Sequence, residues 1–567
     1  MSSSTQNTIQ HRDTERQRNG ARKNLCFSVY FLFALLVSVF PTVAQDDLFV
    51  GMTLEQKVAQ MFIVHLFGEQ MTYAGRDLLT TWQPGGVVLI GENLASAEAV
   101  MRLTNSYQQT ITAAGGIPLF VSVDQEPGII SHLKDGFTQF PTPTLITATG
   151  KPDYASQVGR AIADELLAVG VNMNLAPVAD LETNRDNPII QRRSFGSDPA
   201  LVSPMIAGFI QGTQGAGVLA TAKHFPGHGD SSGDSHTELP VIDLSRERLE
   251  SVELAPFRAA IEADVGAIMV AHIWYPALEP EPDLPASLSP RVITDLLRDE
   301  MGYDGLIMTD AMDMDAIDTH YTYPEAVIRA IQAGVDLVIA AHIGEQSQAQ
   351  AMQAVVDAVR TGTISESRIN ESVERILAAK EQFGILDWQP LDLDTVSERI
   401  DLEGHAALID ELFRAGVTVA MDDQDFVPLT ADKTLAIVYL ATRTQIAQEC
   451  GQYRPDIRWV GVSDSPTDEE IGWAVGASGL TDVTVVFTQN ADTNTRQQAL
   501  VNALPPEKTV AVALWSPYDW LTFPNVAGYI VTYSPARPAV PAACGALFGA
   551  FEAQGVLSIR LLAENEG

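Results

Sequence analysis

The chain has 567 residues, 46% of them apolar and 19% charged, with a formal net charge of −37. That length suits two or three domains and the apolar share suits large buried cores, which excludes an intrinsically disordered chain. So strong an acidic excess repels phosphate backbones and anionic lipid surfaces, and nucleic-acid binding is not expected.

The N-terminus carries an export pattern. Arg12, Arg16, Arg18, Arg22 and Lys23 precede an apolar run from Leu25 to Phe40, closed by Pro41-Thr42-Val43-Ala44. The run is short for a membrane span of about 20 residues. A signal peptide over residues 1–44 is therefore expected, with an uncleaved anchor as the alternative. The expected location is extracellular or periplasmic, anchored to the membrane if the segment stays and otherwise without stable membrane insertion. Loss of Cys26 leaves Cys450 and Cys544, which could pair, although spacing alone sets no distance.

From residue 50 to about 380, short apolar runs alternate with longer amphipathic stretches. The runs are Met61–Phe67, Gly86–Ile90, Pro118–Asp124, Met173–Asp180, Val218–Phe225, Ala267–Ile273, Gly305–Thr309 and Asp336–Ala341. Between them, Tyr154–Val169, Glu247–Ala263, Arg291–Glu300 and Pro324–Ala333 have helical spacing. Eight strands separated by helices predict an α/β fold with a (β/α)8 TIM-type barrel. Beyond Trp388 the pattern changes. A helix is expected near Gly404–Ala415, then strands at Thr434–Leu440, Val483–Thr488, Val510–Trp515 and Tyr529–Tyr533. The expected organisation is a catalytic barrel over 45–385, a linker over 386–420 and a smaller C-terminal α/β sandwich domain over 421–567.

A parallel barrel does its chemistry at the C-terminal ends of its strands, where the βα loops converge. The expected ends carry Asp124-Gln125-Glu126, Arg192 and Arg193, Lys223-His224, His272 and Asp310. The densest polar segment is Lys223-His224-Phe225-Pro226-Gly227-His228-Gly229-Asp230-Ser231-Ser232-Gly233-Asp234-Ser235-His236. His224 and His228 have a zinc-like i,i+4 spacing, but Pro226 and Gly227 between them argue against the helix such a site needs. The other reading is a catalytic loop with backbone freedom from its glycines, in which Asp234 orients His236 as a proton-transfer group.

At this point the sequence resembles glycoside hydrolase family 3, in its β-N-acetylglucosaminidase branch. The resemblance rests on DQEPG at 124–128, NLAPVAD at 174–180, RSFGSDP at 193–199, KHFPGHGD at 223–230, DSH at 234–236, PASLSP at 285–290 and GLIMTDAMDM at 305–314. It implies a retaining exo-glycosidase that releases terminal β-linked N-acetylhexosamine from cell-wall fragments or chitooligosaccharides. Asp310 would be the nucleophile, with His236 and Asp234 as the acid/base dyad. Asp124, His132, Arg193, Lys223 and His224 would bind the sugar. His132 and Ile129 stand where the family usually has arginine, which bears on specificity. The alternatives are another family activity, β-glucosidase or glycoside phosphorylase, or a non-catalytic carbohydrate-binding protein. No dinucleotide or phosphate-loop fingerprint is visible, and this chemistry requires neither metal nor cofactor. The expected partner is an N-acetylglucosamine-containing oligosaccharide.

Overall fold

A computed structural model describes residues 45–560; the expected signal segment, 1–44, lies outside the described residues. Eight parallel strands close into a barrel: β1 Phe62–His65, β2 Gly86–Val88, β3 Phe120–Val123, β4 Met173–Asn174, β5 Leu219–Phe225, β6 Ala267–Val270, β7 Leu306–Ala311 and β8 Leu337–Ala340. Closure comes from β1 against β8, with Val64 opposite Ala340. Residues such as Ile63, Val87, Val121, Ile268, Ile307 and Val338 are fully buried. Strands covered on both faces read as unbroken apolar runs, which is why these eight are visible in the sequence.

Two elements depart from expectation. The run Met173–Asp180 yields only the two-residue β4. Past it the chain parts from β3, where the Asn174 side chain bonds the Gln125 backbone at 3.1 and 3.0 Å, while on the other side it still bonds β5, from Thr221 N–H to the Ala176 carbonyl and from Lys223 N–H to the Pro177 carbonyl; Pro177 itself has no N–H to give. The helix expected over 247–263 is broken, with a π-type turn at Leu249–Glu253 before Ala255–Glu262. Pro256 cannot donate to the preceding turn, and Leu254 N–H reaches back five residues to the Leu249 carbonyl at 2.8 Å.

The second domain is a six-stranded sheet in the order β11-β10-β12-β13-β14-β9, formed by β9 Thr418–Asp422, β10 Leu435–Leu440, β11 Arg458–Val462, β12 Val483–Thr488, β13 Thr509–Ala513 and β14 Gly528–Val531. Five strands run parallel, and β9 pairs antiparallel with β14. Four of the six were expected. The edge strand β11 escapes because Arg458 and Gly461 interrupt its apolar pattern and both are exposed. Cys450 and Cys544 form a disulfide that joins two helices on this sheet.

The barrel and the sheet are packed together. A helix over Leu402–Gly416 lies in the segment expected as a linker, and its Phe413 is buried with Leu145 and Ala148 of the barrel in the second core. The last described residues return to the barrel, where Val556 N–H bonds the Ala148 carbonyl at 2.8 Å and Arg560 N–H bonds Ser197 Oγ at 2.7 Å.

Candidate active site

A cleft of about 610 Å³ opens at the C-terminal ends of the barrel strands, and Asp124, His132, Arg193, Lys223, His224, His236 and Asp310 all line it. Asp234 meets it through His236.

The floor is a buried ion cluster from three neighbouring strands. Lys223, near the end of β5, lies 2.8 Å from Glu126 and also bonds Asp124, which follows β3 directly. Arg193 forks onto the same Glu126 carboxylate, with Nε at 3.0 Å and Nη2 at 2.8 Å. Burial alone would push the Glu126 carboxyl up; the charges of Arg193 and Lys223 override it and hold the group at about 2. Each cation is thus fixed in place while Asp124 keeps its more open position, with 29% of its side chain exposed.

A second buried carboxylate organises the β5 loop. Asp180 accepts from the backbone N–H of His224 at 3.1 Å and of His228 at 2.6 Å, and it holds His224 Nδ1 at 2.7 Å. Burial raises its pKa, but His224 and His228 outweigh this and keep it below the ordinary carboxylate range. With Nδ1 taken by Asp180, His224 has Nε2 left for the cleft. His228 is pushed down to about 4 by burial and by the neighbouring His224, so it is a neutral ring. The two histidines meet one carboxylate from a strand and the loop after it, not from a helix, and no group of three or more His, Cys, Asp or Glu is placed to hold a metal ion among the described residues.

Beyond His228 the chain is threaded tightly before it opens. A Cβ at Gly229 would overlap the Leu181 carbonyl oxygen, and Gly227 adopts φ +130°. Asn184 and Asn187 bond backbone carbonyls from His228 to Ser231. At the tip, Asp234 Oδ1 accepts from His236 N–H at 2.8 Å and lies 2.7 Å from His236 Nδ1. Burial raises the Asp234 carboxyl, and the two bonds from His236 more than reverse it, leaving it below its ordinary range. A carboxylate at Nδ1 fixes the ring and leaves Nε2 as the nitrogen able to exchange a proton with a ligand. The ring remains 59% exposed.

Asp310 stands near the end of β7, with Oδ1 2.8 Å from the Ala311 N–H. Burial would raise it, but His224, the Ala311 amide and Lys223 keep it below the ordinary range, ionised and at hand in the cleft. His272 supports the backbone one residue on: Nε2 lies 3.0 Å from the Ala311 carbonyl and Nδ1 2.6 Å from Ser287 Oγ. A carbonyl only accepts, so Nε2 carries a proton. Burial holds the ring below the ordinary imidazole range and so favours its neutral form, in which Ser287 donates to Nδ1.

The neighbouring arginines diverge. Arg193 turns into the cleft, whereas Arg192 stacks on Trp515 of the second domain, 3.9 Å from the ring centre, and bonds Asn490 at 3.0 Å. Arg192 and Trp515 bound a separate cavity of about 270 Å³, where Glu182 meets Tyr518. His132 and Ile129 line the main cleft beside Asp124 and are exposed. The residues that sequence reasoning does not place in the site are Glu126, Asp180, His228, Asp313 and His342. Glu126 was visible as a strand-end carboxylate, but its pairing with Arg193, 67 residues away, was not.

Residues 53–379 match the glycosyl hydrolase family 3 N-terminal domain. The chain is 32% identical over 424 residues to beta-hexosaminidase A of Pseudoalteromonas piscicida, covering 69% of this chain and 70% of that protein. It is 26% identical over 531 residues to the beta-N-acetylglucosaminidase/beta-glucosidase of Cellulomonas fimi, covering 87% and 91%. Among solved structures, the family 3 beta-N-acetylglucosaminidase of Paenibacillus sp. str. FPU-7 superposes with a TM-score of 0.74 at 34% identity, covering 90% of this chain and 99% of that one. With these matches and a cleft at the barrel mouth into which carboxylates, cations and imidazoles converge, the chain is a glycoside hydrolase that belongs to glycosyl hydrolase family 3.

Proposed function

We propose that this protein is an exported, retaining exo-β-N-acetylhexosaminidase that removes terminal N-acetylglucosamine from cell-wall fragments or chitooligosaccharides. The observation that carries the reading is the pairing, in one cleft, of an ionised carboxylate at Asp310 with a carboxylate-oriented imidazole at His236. The names and similarity of the relatives support the substrate class. The basic and apolar segments before residue 45 support export.

In this reading the terminal sugar sits with its hydroxyls on Asp124, Lys223, Arg193 and His224, and His132 reaches it from the rim. An Asp310 oxygen attacks the anomeric carbon as the glycosidic bond breaks. Doubly protonated His236 gives its Nε2 proton to the departing oxygen, and Asp234 steadies the charged ring through Nδ1. Neutral His236 then takes a proton from water as that water displaces Asp310, which releases the sugar with its configuration retained and restores both groups. Imidazole suits this double duty because its unperturbed pKa of about 6.5 allows both protonation states near neutrality.

The test is a panel of aryl N-acetylglucosaminide, N-acetylgalactosaminide, glucoside and xyloside, each with and without phosphate. The N-acetylhexosaminides should be turned over fastest, independently of phosphate. A phosphate-dependent rate would replace hydrolysis with phosphorolysis, and preference for the glucoside would overturn the substrate class. Asp310→Asn should lose turnover. His236→Ala should lose least, in the glycosylation step, on substrates with the best leaving groups; a uniform loss across leaving groups would remove the acid role.

A further inference from the structure

The cleft holds a second histidine–carboxylate pair. His342, two residues beyond β8, has Nδ1 3.1 Å from Oδ2 of Asp313, which follows β7, and both residues line the cleft with Asp310 and His236. The backbone of His342 is left-handed, at φ 40°. Residues with a Cβ seldom adopt that conformation, and it concentrates at functional positions. Among the described residues, the other Asp313 oxygen, Oδ1, is buried without a hydrogen-bond partner, and the carboxylate's one hydrogen bond is to this ring.

Exposure locates the pair along the substrate path. The floor is closed, with the side chains of Lys223 and Glu126 at 2% and 1% exposure. His236 is 59% exposed and His342 58%. An exo-acting pocket takes the terminal sugar into its closed end, and the remainder of the chain projects through the mouth. His236 must reach the scissile oxygen, so a side chain as open to solvent, lining the same cleft three strands further round the barrel, is placed to meet what lies just beyond that oxygen.

We propose that His342, held by Asp313, is a specificity-determining residue that hydrogen-bonds the leaving-group sugar of an oligosaccharide across the mouth from His236. This rests on the exo-glycosidase reading above. Asp313 occupies Nδ1, so Nε2 is left for the substrate, and it can accept from or donate to a sugar hydroxyl. A nitrophenyl leaving group has no hydroxyl to offer.

The test compares wild type with His342→Asn on two substrates, the β-1,4-linked N-acetylglucosamine disaccharide and nitrophenyl N-acetylglucosaminide. Asparagine tolerates the left-handed backbone, so the fold is kept, but it is too short to replace the ring. Loss of one hydrogen bond should lower kcat/KM on the disaccharide about tenfold, chiefly through KM, with less than about a twofold change on the aryl substrate. His342→Gln should recover part of the loss on the disaccharide alone. Equal losses on both substrates, or none on the disaccharide, would overturn the assignment. Wild-type protein that turns over neither substrate would overturn the exo-glycosidase reading and this inference with it.

Discussion

Lys223 Nζ lies 2.8 Å from Glu126 Oε1, and neither side chain is more than 2% exposed. Both charges are out of water, so Glu126 depends on Lys223 and Arg193, and Lys223 on Glu126 and Asp124. Glu126→Gln would leave Arg193 facing a neutral amide and Lys223 with Asp124 as its one remaining carboxylate. Removing one partner from a buried charge cluster typically costs about 3–5 kcal/mol, so the variant should melt well below wild type and bind substrate poorly.

The same carboxyl sets an acid limit. It is held at about 2 against an ordinary 4.5, so its contribution to stability is complete above about 4.5 and is lost as pH falls towards 2. Denaturant titrations from pH 6 to 3 should show wild type losing stability over that window. Glu126→Gln should be flatter there; an equal slope in the two proteins would mean that Glu126 is not the group responsible.

Glu182 has the opposite sign. Buried between the barrel and the second domain, it is raised to about 7 against an ordinary 4.5, chiefly by loss of water and against the hydrogen bond from Tyr518. Its folded form prefers the proton, so the stabilising contribution is complete below about 4.5 and disappears as pH rises through about 7. Glu182→Gln keeps the acceptor for Tyr518 without the charge. The variant should melt higher than wild type at pH 8, and the difference should vanish by pH 4.

The Cys450–Cys544 bond spans 94 residues within the second domain. Closing so long a loop in the unfolded chain is worth about 2–4 kcal/mol. The double Cys450→Ala, Cys544→Ala variant should lose stability on that scale and keep wild-type kcat where folded, because neither cysteine lines the barrel cleft.

What could be read in the sequence follows from how local each signal is. The eight barrel strands were legible because strands buried on both faces are unbroken apolar runs. The pair Asp234 and His236 was legible because a single residue separates its members, and their 2.7 Å contact forms within one turn. Asp180 was not, since its partners His224 and His228 lie 44 and 48 residues ahead and meet it only when β5 is placed beside β4. His342 was hidden for another reason: it follows an apolar strand singly, with no other titratable residue within two positions, and its importance lies in a left-handed backbone and a carboxylate 29 residues away. The overestimate of β4 shows the limit of apolar runs as a guide, because Pro177 and the Asn174 side chain redirect the ladder without interrupting the pattern.

The central claim is that Asp310 becomes covalently bonded to the sugar. The most direct measurement uses a substrate whose glycosyl-enzyme forms quickly and breaks down slowly, followed by intact mass and peptide mapping. A mass increase of one glycosyl unit is expected on the peptide containing Asp310, together with release of product in the retained anomeric configuration. A label on any other residue, or inverted product with no label, would contradict it.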